Sequence, residues 1–514
     1  MELAEFGTIA DQIRQHARHA PTRIALIDGT RVLNYASLDA LMDRVAGALQ
    51  RDGLRVGDAV AICAGMSIAY AAVFLGALRA GVVVAPLAPG ATPESLQRML
   101  CDAQAKVLFT DSSCAQHFAD VAGVGATMVA LDGSAAAQAL DEWMAAPALH
   151  PASAHITAQT PFNIIYSSGT TGEPKGIVQA HGMRWAQVLR ARNWGYGPDA
   201  VAIASTPLYS NTTLVIFFPV LSYGGTVVLM PKFNPTEFLR LAQLHRASHA
   251  MLVPVQYQRL MACEDFDTFD LTSFQFKFST SAPFSAGLKT DVMRRWPGAL
   301  IEIYGMTEGG GSCVLEAHKQ PGKLHTVGQP VAGNDIRLIN DAGVEVPAGE
   351  TGEVVGHSPA MMTGYHGQPE KTREAEWFDL SGKRFIRTGD IGRFDEEGFL
   401  TLVDRKKDMI ISGGFNVYPS DLEAVLRGHE CVEDVAVVGI PSDLWGETPV
   451  AFVVRKPGAD VPEEALLQWA NGRLAKTQRL ANLLFIAELP RSPIGKVLKR
   501  ELRDQLVASR FDAN

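Results

Sequence analysis

Short apolar runs alternate with Ala-rich helical segments from residue 59 onward, and this alternation constrains the fold more than any other feature. The apolar runs have the length of buried strands, and the segments between them have the length of helices. Strands that alternate with helices in this way predict α/β layers around a largely parallel sheet. The segments are the strand Val60–Cys63, a helix near Ile68–Ala80, the strand Val82–Pro86, a helix near Pro93–Ala103 and the strand Val107–Thr110.

A second series of predicted strands and helices lies between residues 201 and 296, so two α/β sheets in tandem are expected. Its strands are Val201–Ser205, Gly225–Leu229, His249–Leu252 and Phe274–Ser279. Before the first series, the sequence predicts an amphipathic helix over residues 8–19, a hairpin around Gly29 and a helix over Ser37–Arg51 that Ser37 caps.

The character changes at about Gly322 to short strands and turns, which predict a small β-rich module. The charged cluster at residues 404–408 then leads into a last segment of mixed strands and helices. A chain of 514 residues exceeds the roughly 250–300 residues of a single core. We therefore predict an α/β protein with a large domain over 1–404, made of two tandem sheets and the β-rich module. A small mobile α+β domain over 405–514 follows a hinge at about 404–408.

Charge, cysteines and hydropathy exclude several classes of protein. The formal net charge is −9, whereas a nucleic-acid-binding protein normally shows a basic excess. The six cysteines form no C-x-x-C pair, so neither a zinc site nor a disulfide framework is predicted. The first residues lack the pattern of a signal peptide, and the most apolar region, Ala71–Pro89, is interrupted by Arg79 and two glycines. We expect a soluble cytoplasmic protein without an integral membrane segment.

The stretch Tyr166–Gly176 reads Y-S-S-G-T-T-G-E-P-K-G and follows an apolar run. Its three glycines allow successive backbone N–H groups to converge on phosphate oxygens, its hydroxyl groups add donors, and Lys175 adds a point charge. Loops of this composition are more often surface turns. The stretch is not a Walker A loop, because Gly176 follows Lys175 where a Ser or Thr is required. It predicts polyphosphate binding outside the P-loop class.

A second stretch, Ile301–Gly311, reads I-E-I-Y-G-M-T-E-G-G-G and begins with the alternation of a strand. The turn at Gly305 places Thr307 and Glu308 just beyond the strand end, where α/β sheets bind ligands. On its own, a Thr-Glu pair more often begins a helix. The turn S-T-S-A-P at 279–283 is also weak alone, and Asp390 with Arg405 could be an ordinary surface ion pair.

Taken together, these strings resemble the signature motifs of the adenylate-forming superfamily, which includes acyl-CoA synthetases, luciferases and peptide-synthetase adenylation domains. The matches run from residue 166 to residue 500, and the chain most resembles an AMP-forming acyl-CoA synthetase. The resemblance implies that Thr307 is catalytic and bonds phosphate, that Glu308 is catalytic and holds magnesium, and that Tyr304 stacks on adenine. The ATP- and AMP-binding residues it implies are Ser167, Ser168, Gly169, Thr170, Thr171, Gly172, Lys175, Ser281, Ala282, Pro283, Glu302, Ile303, Tyr304, Gly305, Asp390 and Arg405.

The resemblance extends into the C-terminal segment, where P-R-S-P-I-G-K at 490–496 matches the family's P-x-[TS]-x-x-G-K loop. It implies that Lys496 bridges the carboxylate and the α-phosphate, a task that suits a compact charge on a long stem. An isolated lysine in a basic tail is otherwise usually solvated. The resemblance also makes Lys407 the pivot of the hinge. It assigns Gly413, Gly414 and Phe415 to the tunnel for coenzyme A.

One departure concerns the acyl pocket. The family often carries P-L-[FY]-H there, whereas this chain has P-L-Y-S at 207–210, so a hydroxyl replaces an imidazole. Three consecutive glycines after Glu308 should leave room at the pocket wall, and no Arg or Lys lies in the expected lining segments. We expect an aromatic, alicyclic or medium-chain acid rather than acetate or a dicarboxylate. The resemblance places Tyr209, Ser210, Asn211, Gly309 and Gly310 at this pocket.

The predicted function is an AMP-forming acid–thiol ligase of fatty or aromatic acid metabolism that uses ATP, Mg²⁺ and coenzyme A. The first alternative is a stand-alone adenylation enzyme that loads the phosphopantetheine of a carrier protein. The second is a non-catalytic nucleotide sensor, which the joint presence of Lys175, Thr307, Glu308, Asp390 and Lys496 disfavours. The expected partners are a small carboxylic acid, ATP and CoA, not nucleic acid or membrane, and a homodimer is an open alternative to a monomer.

Overall fold

The computed structural model describes residues 3–118, 125–134, 137–147, 149–167, 175–412, 415–442, 445–475, 478–492 and 495–511, without the side chains of 167, 415–416 and 507–511. The α-helices are α1 (Ile9–His19), α2 (Tyr35–Arg51), α3 (Ile68–Arg79), α4 (Pro93–Asp102), α5 (Leu140–Trp143), α6 (His181–Arg190), α7 (Asn211–Ser222), α8 (Pro235–Leu244), α9 (Pro254–Met261), α10 (Ala286–Arg295), α11 (Pro369–Glu374), α12 (Pro419–Arg427), α13 (Glu463–Asn471) and α14 (Lys499–Phe511). Short 3₁₀ helices span Ala115–Phe118, Ala191–Trp194, Phe266–Thr268, Pro321–Lys323 and Lys406–Asp408.

The strands are β1 (Ile24–Asp28), β2 (Arg31–Asn34), β3 (Ala59–Cys63), β4 (Val83–Pro86), β5 (Val107–Thr110), β6 (Thr127–Ala130), β7 (Gln138–Ala139), β8 (Pro161–Ser167), β9 (Lys175–Ala180), β10 (Val201–Ala204), β11 (Thr226–Leu229), β12 (His249–Leu252), β13 (Phe276–Ser279), β14 (Ala299–Gly305), β15 (Ser312–Glu316), β16 (Gln329–Pro330), β17 (Asp335–Ile339), β18 (Gly352–His357), β19 (Gly364–Tyr365), β20 (Glu376–Phe378), β21 (Arg384–Phe394), β22 (Leu400–Arg405), β23 (Ile410–Ser412), β24 (Phe415–Val417), β25 (Val432–Ser442), β26 (Gly446–Arg455) and β27 (Asn482–Phe485).

Two large sheets confirm the α/β prediction. The first has eight strands in the order β19-β9-β8-β4-β3-β5-β6-β7, and the second has nine in the order β16-β15-β14-β13-β12-β10-β11-β1-β2. Their inner strands are parallel, as buried strands linked by helices should be. The predicted hairpin β1–β2 exists, but β1 pairs with β11, so the N-terminal strands complete the second sheet rather than the first.

Helix α3 lies in the apolar core that joins residues of both large sheets. All but one of its residues are buried, which explains why its sequence is apolar on every side. A Cβ on Gly76 would lie 2.6 Å from the Val45 Cβ, so the glycine permits close packing against α2. At the helix end, Arg79 is 8% exposed and pairs with Asp39 and Asp43 of α2.

The cap predicted for α2 was wrong. The helix begins at Tyr35, and the Asn34 side-chain oxygen accepts a hydrogen bond from the Ser37 N–H at 2.8 Å. Asn is as strong an N-cap as Ser. Strand β2 ends at Asn34 and the helix follows at once, so Tyr35 and Ala36 belong to the helix and do not precede it.

The chain forms two compact units. The first comprises Met1–Leu324, Pro330–Asp335 and Gly356–Ile386, and the second comprises His325–Gln329, Ile336–Val355 and Arg387–Asn514. About half of the predicted β-rich module therefore groups with the C-terminal segment, and the other half groups with the first unit. The domain boundary at 404–408 stays a prediction.

The two smaller sheets have five strands each. One has the order β17-β18-β21-β20 with β22 beside β21, and the other has the order β24-β23-β26-β25 with β27 beside β26. Helices α12 and α13 cover one face of the second of these sheets through Leu422, Leu426 and Leu466. Among the described residues, no helix has both the length and the apolar character needed to cross a membrane.

Candidate active site

The second predicted motif lies at the carboxyl end of β14. A turn follows the strand and is closed by the Gly309 N–H, which donates to the Met306 carbonyl at 3.0 Å. Thr307 and Glu308 occupy this turn and are half-buried. Their position just beyond a strand end agrees with the sequence prediction and is the usual place for ligands in α/β sheets.

Strand β9 contacts this turn by two routes. The Lys175 ammonium lies 5.2 Å from the centre of the Tyr365 ring, and the Tyr365 hydroxyl donates to Glu308 Oε1 at 3.0 Å. Farther along the strand, Gln179 Nε2 donates to the Thr307 carbonyl at 2.7 Å. The lysine of the predicted phosphate loop and the Thr-Glu pair are about 130 residues apart in sequence, and β9, with Tyr365 of the adjacent strand β19, links them.

Tyr365 and Gln179 are residues that sequence reasoning missed. Burial, together with the nearby Glu308 carboxylate, raises the pKa of Tyr365, so its hydroxyl remains a neutral donor. The Gln179 side chain is fully buried. No local signal marks either residue, because each acts through a contact that only the folded sheet creates.

The glycines after Glu308 do not open the space that the sequence predicted. A Cβ on Gly309 would lie 1.7 Å from the Ala360 carbonyl oxygen, and one on Gly310 would lie 2.8 Å from the Ile386 Cβ. Gly309 also has a φ of +73°. These positions are glycine because backbone packs against them, not because a ligand needs width on that side.

The Glu302 carboxylate forms a buried ion pair with Lys289 of α10 and is not open to a ligand. Their side chains are 6% and 1% exposed, and the Lys289 ammonium also donates to the Leu324 carbonyl at 2.7 Å. Burial raises the pKa of Glu302 to about 7, and the charge of Lys289 opposes the rise. The side chain of Glu302 is therefore occupied by Lys289, and the predicted contact with the nucleotide can come only from the Glu302 backbone.

Two segments of the predicted acyl pocket meet at the start of α7. The Thr212 and Ser281 hydroxyl oxygens are 2.7 Å apart, and Ser281 has a φ of +79°. A non-glycine residue in this region costs about 1–2 kcal/mol, which the surrounding contacts must offset. Ser210, the departure from the family pattern, caps α7 by accepting from the Thr212 N–H at 3.3 Å. The neighbouring Tyr209 is half-buried, as are Asn211, Ala282, Ile303 and Tyr304, while Pro283 and Gly305 are exposed.

In the second unit, Asp390 and Arg405 are register partners on β21 and β22, and Arg405 Nε lies 3.0 Å from Asp390 Oδ1. Asp390, the carboxylate predicted to bind ribose, thus lies beside Arg405, and the two side chains can contact the same ligand. The next residue, Lys406, contacts Asp341 at 2.8 Å and Glu353 at 3.2 Å. Lys407 is exposed, as a pivot requires.

Lys496 lies at the end of a short turn in the same unit. The Ser492 N–H donates to the Lys496 carbonyl at 2.8 Å, and the Lys496 N–H donates to the Ser492 hydroxyl at 3.2 Å. Arg491 supports the turn through the Gly495 carbonyl at 2.6 Å and an ion pair with Asp434. The Lys496 side chain is exposed, so its charge can move to a ligand.

Residues 13–366 match the model of the family of AMP-binding enzymes, and residues 421–496 match the model of the AMP-binding enzyme C-terminal domain. The chain belongs to this family.

Three similar proteins refine this assignment. Feruloyl-CoA synthase of an Amycolatopsis species is 33% identical over 495 residues, with 95% of this chain and 97% of that protein covered. The fatty acid–[acyl-carrier-protein] ligase ScoC of Streptomyces coeruleorubidus is 32% identical over 511 residues, with 98% and 97% covered. The structure of ATP-bound MatB from Rhodopseudomonas palustris superimposes with a TM-score of 0.87 at 31% identity, with 96% and 98% covered. The predicted superfamily and fold class are confirmed, and this AMP-binding enzyme is an AMP-forming enzyme of the acyl-CoA synthetase type.

Several predicted residues of this AMP-binding enzyme lie outside the described part of the chain. They are Ser168, Gly169, Thr170, Thr171 and Gly172 of the phosphate loop and Gly413 and Gly414 of the predicted CoA tunnel. Ser167 and Phe415 are described only as backbone, at the ends of β8 and β24. The roles of all these residues stay predictions.

The donor set of this AMP-binding enzyme suits a magnesium ion held mainly by its substrate. The described residues contain no cluster of three or more His, Cys, Asp or Glu side chains that could hold a metal. Magnesium takes one or two protein carboxylates and completes its octahedron with phosphate and water. Glu308, half-buried and oriented by the Tyr365 hydroxyl, fits as the single carboxylate.

Proposed function

We propose that this chain is an AMP-forming acid–CoA ligase for aromatic, alicyclic or medium-chain carboxylic acids. The observation that carries the proposal is the double link between β9 and the turn after β14, which joins Lys175 to Glu308 and Gln179 to Thr307. An enzyme that activates a carboxylate with ATP needs a phosphate-binding cation and a metal-binding carboxylate at fixed separation. Similarity to feruloyl-CoA synthase supports both the reaction and the acid class.

In the first half-reaction, the carboxylate attacks the α-phosphate of ATP and pyrophosphate leaves. Lys175 and Thr307 bind phosphate oxygens, Tyr304 stacks on adenine, and Asp390 accepts from the ribose hydroxyls with Arg405 beside it. Magnesium, when bound, neutralises phosphate charge, and Glu308 holds it. Lys496 stabilises the charge that builds at phosphorus as the new bond forms.

In the second half-reaction, the thiol of CoA attacks the acyl carbonyl and AMP leaves. The chain pivots at Lys407, which withdraws Lys496 and brings the segment of Gly413, Gly414 and Phe415 to the thiol path. The 3₁₀ turn Lys406–Asp408 gives the pivot a short irregular segment in which to absorb a torsion change.

The acid class follows from the lining expected near α7. Tyr209, Ser210, Asn211 and Ser281 provide aromatic, hydroxyl and amide groups without a carboxylate or an exposed cation. A second substrate carboxylate would be buried without a partner, at a cost of several kcal/mol. Benzoate-like, cyclohexane-carboxylate-like and C6–C10 acids should therefore be better substrates than acetate or malonate.

ATP–pyrophosphate exchange with a panel of acids tests the proposal. Exchange that depends on a cyclic or medium-chain acid, followed by thioester formation with CoA, is the expected result. No exchange with any acid would reject the reaction, and a higher kcat/KM for acetate or malonate than for every cyclic and C6–C10 acid would reject the acid class.

A second acceptor has one specific observation in its favour, the 32% identity to a fatty acid–[acyl-carrier-protein] ligase. That acceptor would be the phosphopantetheine of a carrier protein. Incubation with ATP, acid and either CoA or a phosphopantetheinylated carrier distinguishes the two. Acyl transfer to the carrier at a kcat/KM above that for CoA would replace the CoA ligase assignment.

A further inference from the structure

Arg184 of α6 is a buried arginine whose hydrogen bonds all go to amide oxygens, and its guanidinium also lies 5.7 Å from the centre of the Phe162 ring and 5.8 Å from that of the Phe218 ring. Its side chain is 1% exposed. Nε donates to Asn163 Oδ1 at 3.1 Å, Nη1 donates to Gln187 Oε1 at 3.0 Å and to Asn211 Oδ1 at 2.8 Å, and Nη2 donates to Gln179 Oε1. These partners come from β8, β9, α7 and α6 itself, so one side chain ties four elements together.

The positive charge of Arg184 has no carboxylate beside it. Burial lowers the pKa of Arg184 to about 9, which still leaves it charged at neutral pH. Among the described residues no Asp or Glu oxygen lies within 4.0 Å of it. The other buried arginine, Arg79, pairs with Asp39 and Asp43. A buried cation without a counter-charge destabilises a fold relative to an apolar side chain of the same volume. The two aromatic rings beside Arg184 offset this cost only in part, since a desolvated cation–π contact contributes about 2 kcal/mol and burial of an ion costs several kcal/mol. Stability alone therefore does not account for Arg184.

The chemistry of the guanidinium dictates how its partners are oriented. Arginine has five N–H donors and no acceptor, so each amide must present its oxygen to Arg184 and turn its NH₂ group away. For Gln179, that NH₂ group donates to the Thr307 carbonyl at 2.7 Å. For Asn211, the Nδ2 group donates to no described residue, and it lies at the first position of α7, beside the Thr212 and Ser281 contact.

Arg184 is therefore suited to orient other groups rather than to touch a ligand. Four of its five donors are occupied and its side chain is inaccessible. Two of the four amides that it orients, those of Gln179 and Asn211, lie beside groups expected to take part in acyl-adenylate formation. One holds the turn of Thr307 and Glu308, and the other offers a donor at the expected acyl pocket.

We propose that Arg184 is a positioning residue for acyl-adenylate formation, which fixes the Gln179 amide on the Thr307 carbonyl and the Asn211 amide toward the acid. This inference rests on the proposed function.

Three variants test it. Arg184→Met removes the guanidinium but keeps an unbranched apolar chain. Gln179→Glu keeps, and strengthens, the contact with Arg184 but cannot donate to the Thr307 carbonyl. Arg79→Met is the matched control, because it removes a buried arginine of the same unit that contacts no predicted site residue. For each variant, kcat, the KM for the acid and the KM for ATP are measured by pyrophosphate exchange, together with the thermal unfolding midpoint.

The expected results differ between the variants. Gln179→Glu should lower kcat about tenfold or more at an unchanged KM for the acid, since small displacements of catalytic groups cost up to about 10²-fold. Arg184→Met should lower kcat to a similar extent and also raise the KM for the acid, because Asn211 loses its orientation. Arg79→Met should lower the unfolding midpoint without changing kcat per folded enzyme. In a crystal structure of Arg184→Met, Gln179 Nε2 should have left the Thr307 carbonyl.

Two outcomes would overturn the proposal. One is a kcat and an acid KM for Gln179→Glu that are both within twofold of the wild-type values. This measurement tests the proposal even if Arg184→Met does not fold. The other is a crystal structure of Arg184→Met in which Gln179 and Asn211 keep their places. A wild-type enzyme that exchanges pyrophosphate with no acid would instead reject the proposed function, and the crystal structure would still decide the positioning.

Discussion

Replacement of Gly309 by alanine should damage the enzyme in a way that does not depend on the size of the acid. The new Cβ would lie 1.7 Å from the Ala360 carbonyl oxygen, closer than any real contact, and the backbone would hold a φ of +73°. The conformation costs about 1–2 kcal/mol, and overpacking costs about 1–3 kcal/mol more. A total of about 2–5 kcal/mol is therefore expected.

The strain should reach the reacting groups directly. The Gly309 carbonyl accepts from the Ser358 hydroxyl at 2.7 Å, and the Glu308 carbonyl accepts from the Met362 N–H at 2.8 Å. To admit a methyl group, the turn and the segment 358–362 must separate, and Thr307 and Glu308 move with the turn. Displacement of catalytic groups by about 1 Å can lower the rate about 10²-fold.

The assay compares Gly309→Ala with Gly29→Ala. The backbone of Gly29 also has a positive φ, but a Cβ added there meets no atom within 4 Å. The unfolding midpoint in urea and the pyrophosphate-exchange kcat for a short, a cyclic and a C10 acid are measured for both. The control should lose only about 1–2 kcal/mol of stability, which is the cost of the left-handed backbone conformation, and it should keep its activity. Gly309→Ala should lose more stability and slow all acids alike. A rise in KM for the wide acids alone, at normal stability, would refute the reasoning and restore Gly309 as part of the pocket wall.

Four further predictions concern single side chains. Lys496→Ala should slow acyl-AMP formation by at least ~10²-fold and spare thioester formation from supplied acyl-AMP, so equal loss in both steps would reject its role. Lys407→Pro should leave acyl-AMP formation measurable and suppress thioester formation, because the ring fixes φ; wild-type rates of both would place the pivot elsewhere. Lys289→Met should destabilise the protein by up to about 3–5 kcal/mol in urea unfolding, because the buried Glu302 carboxyl loses its counter-charge and must either stay unpaired or take up a proton, and addition of Glu302→Leu should recover part of the loss. Burial lowers the pKa of His249 from 6.5 to about 4, so the unfolded chain takes up the proton first as the pH falls. About 3 kcal/mol of stability should be lost between pH 6.5 and pH 4, and an unchanged pH dependence in His249→Gln would contradict this.

The sequence predicts the parts of this fold that depend on local pattern. The β3–α3–β4 series is visible because its strands are short and apolar and its helix is apolar on every side. The position of Thr307 and Glu308 is visible because a glycine turn follows an alternating strand. The order of strands in the second sheet is not visible, because the pairing of β1 with β11 joins residues about 200 positions apart.

The candidate site divides in the same way. A motif identifies Lys175, Thr307 and Lys496 by residue type and spacing. It does not show that Tyr365 joins Lys175 to Glu308, or that Glu302 faces Lys289, because alternation along a strand fixes the face of a side chain but not the neighbour it meets. The packing behind Gly309 was misread for the same reason. A missing side chain indicates close approach, and the sequence alone cannot say whether backbone or ligand approaches.

Strand β9 is linked to the turn after β14 directly through Gln179 and indirectly through the contact of Lys175 with Tyr365, and these links also limit how the length of the chain can vary during evolution. Lys175 and Gln179 are four residues apart, so they lie on the same face of the strand. One residue inserted or deleted between them would turn one of the two side chains to the opposite face and break its link to Glu308 or Thr307. Insertions and deletions should therefore be absent, in relatives that keep both links, from the five residues that begin β9.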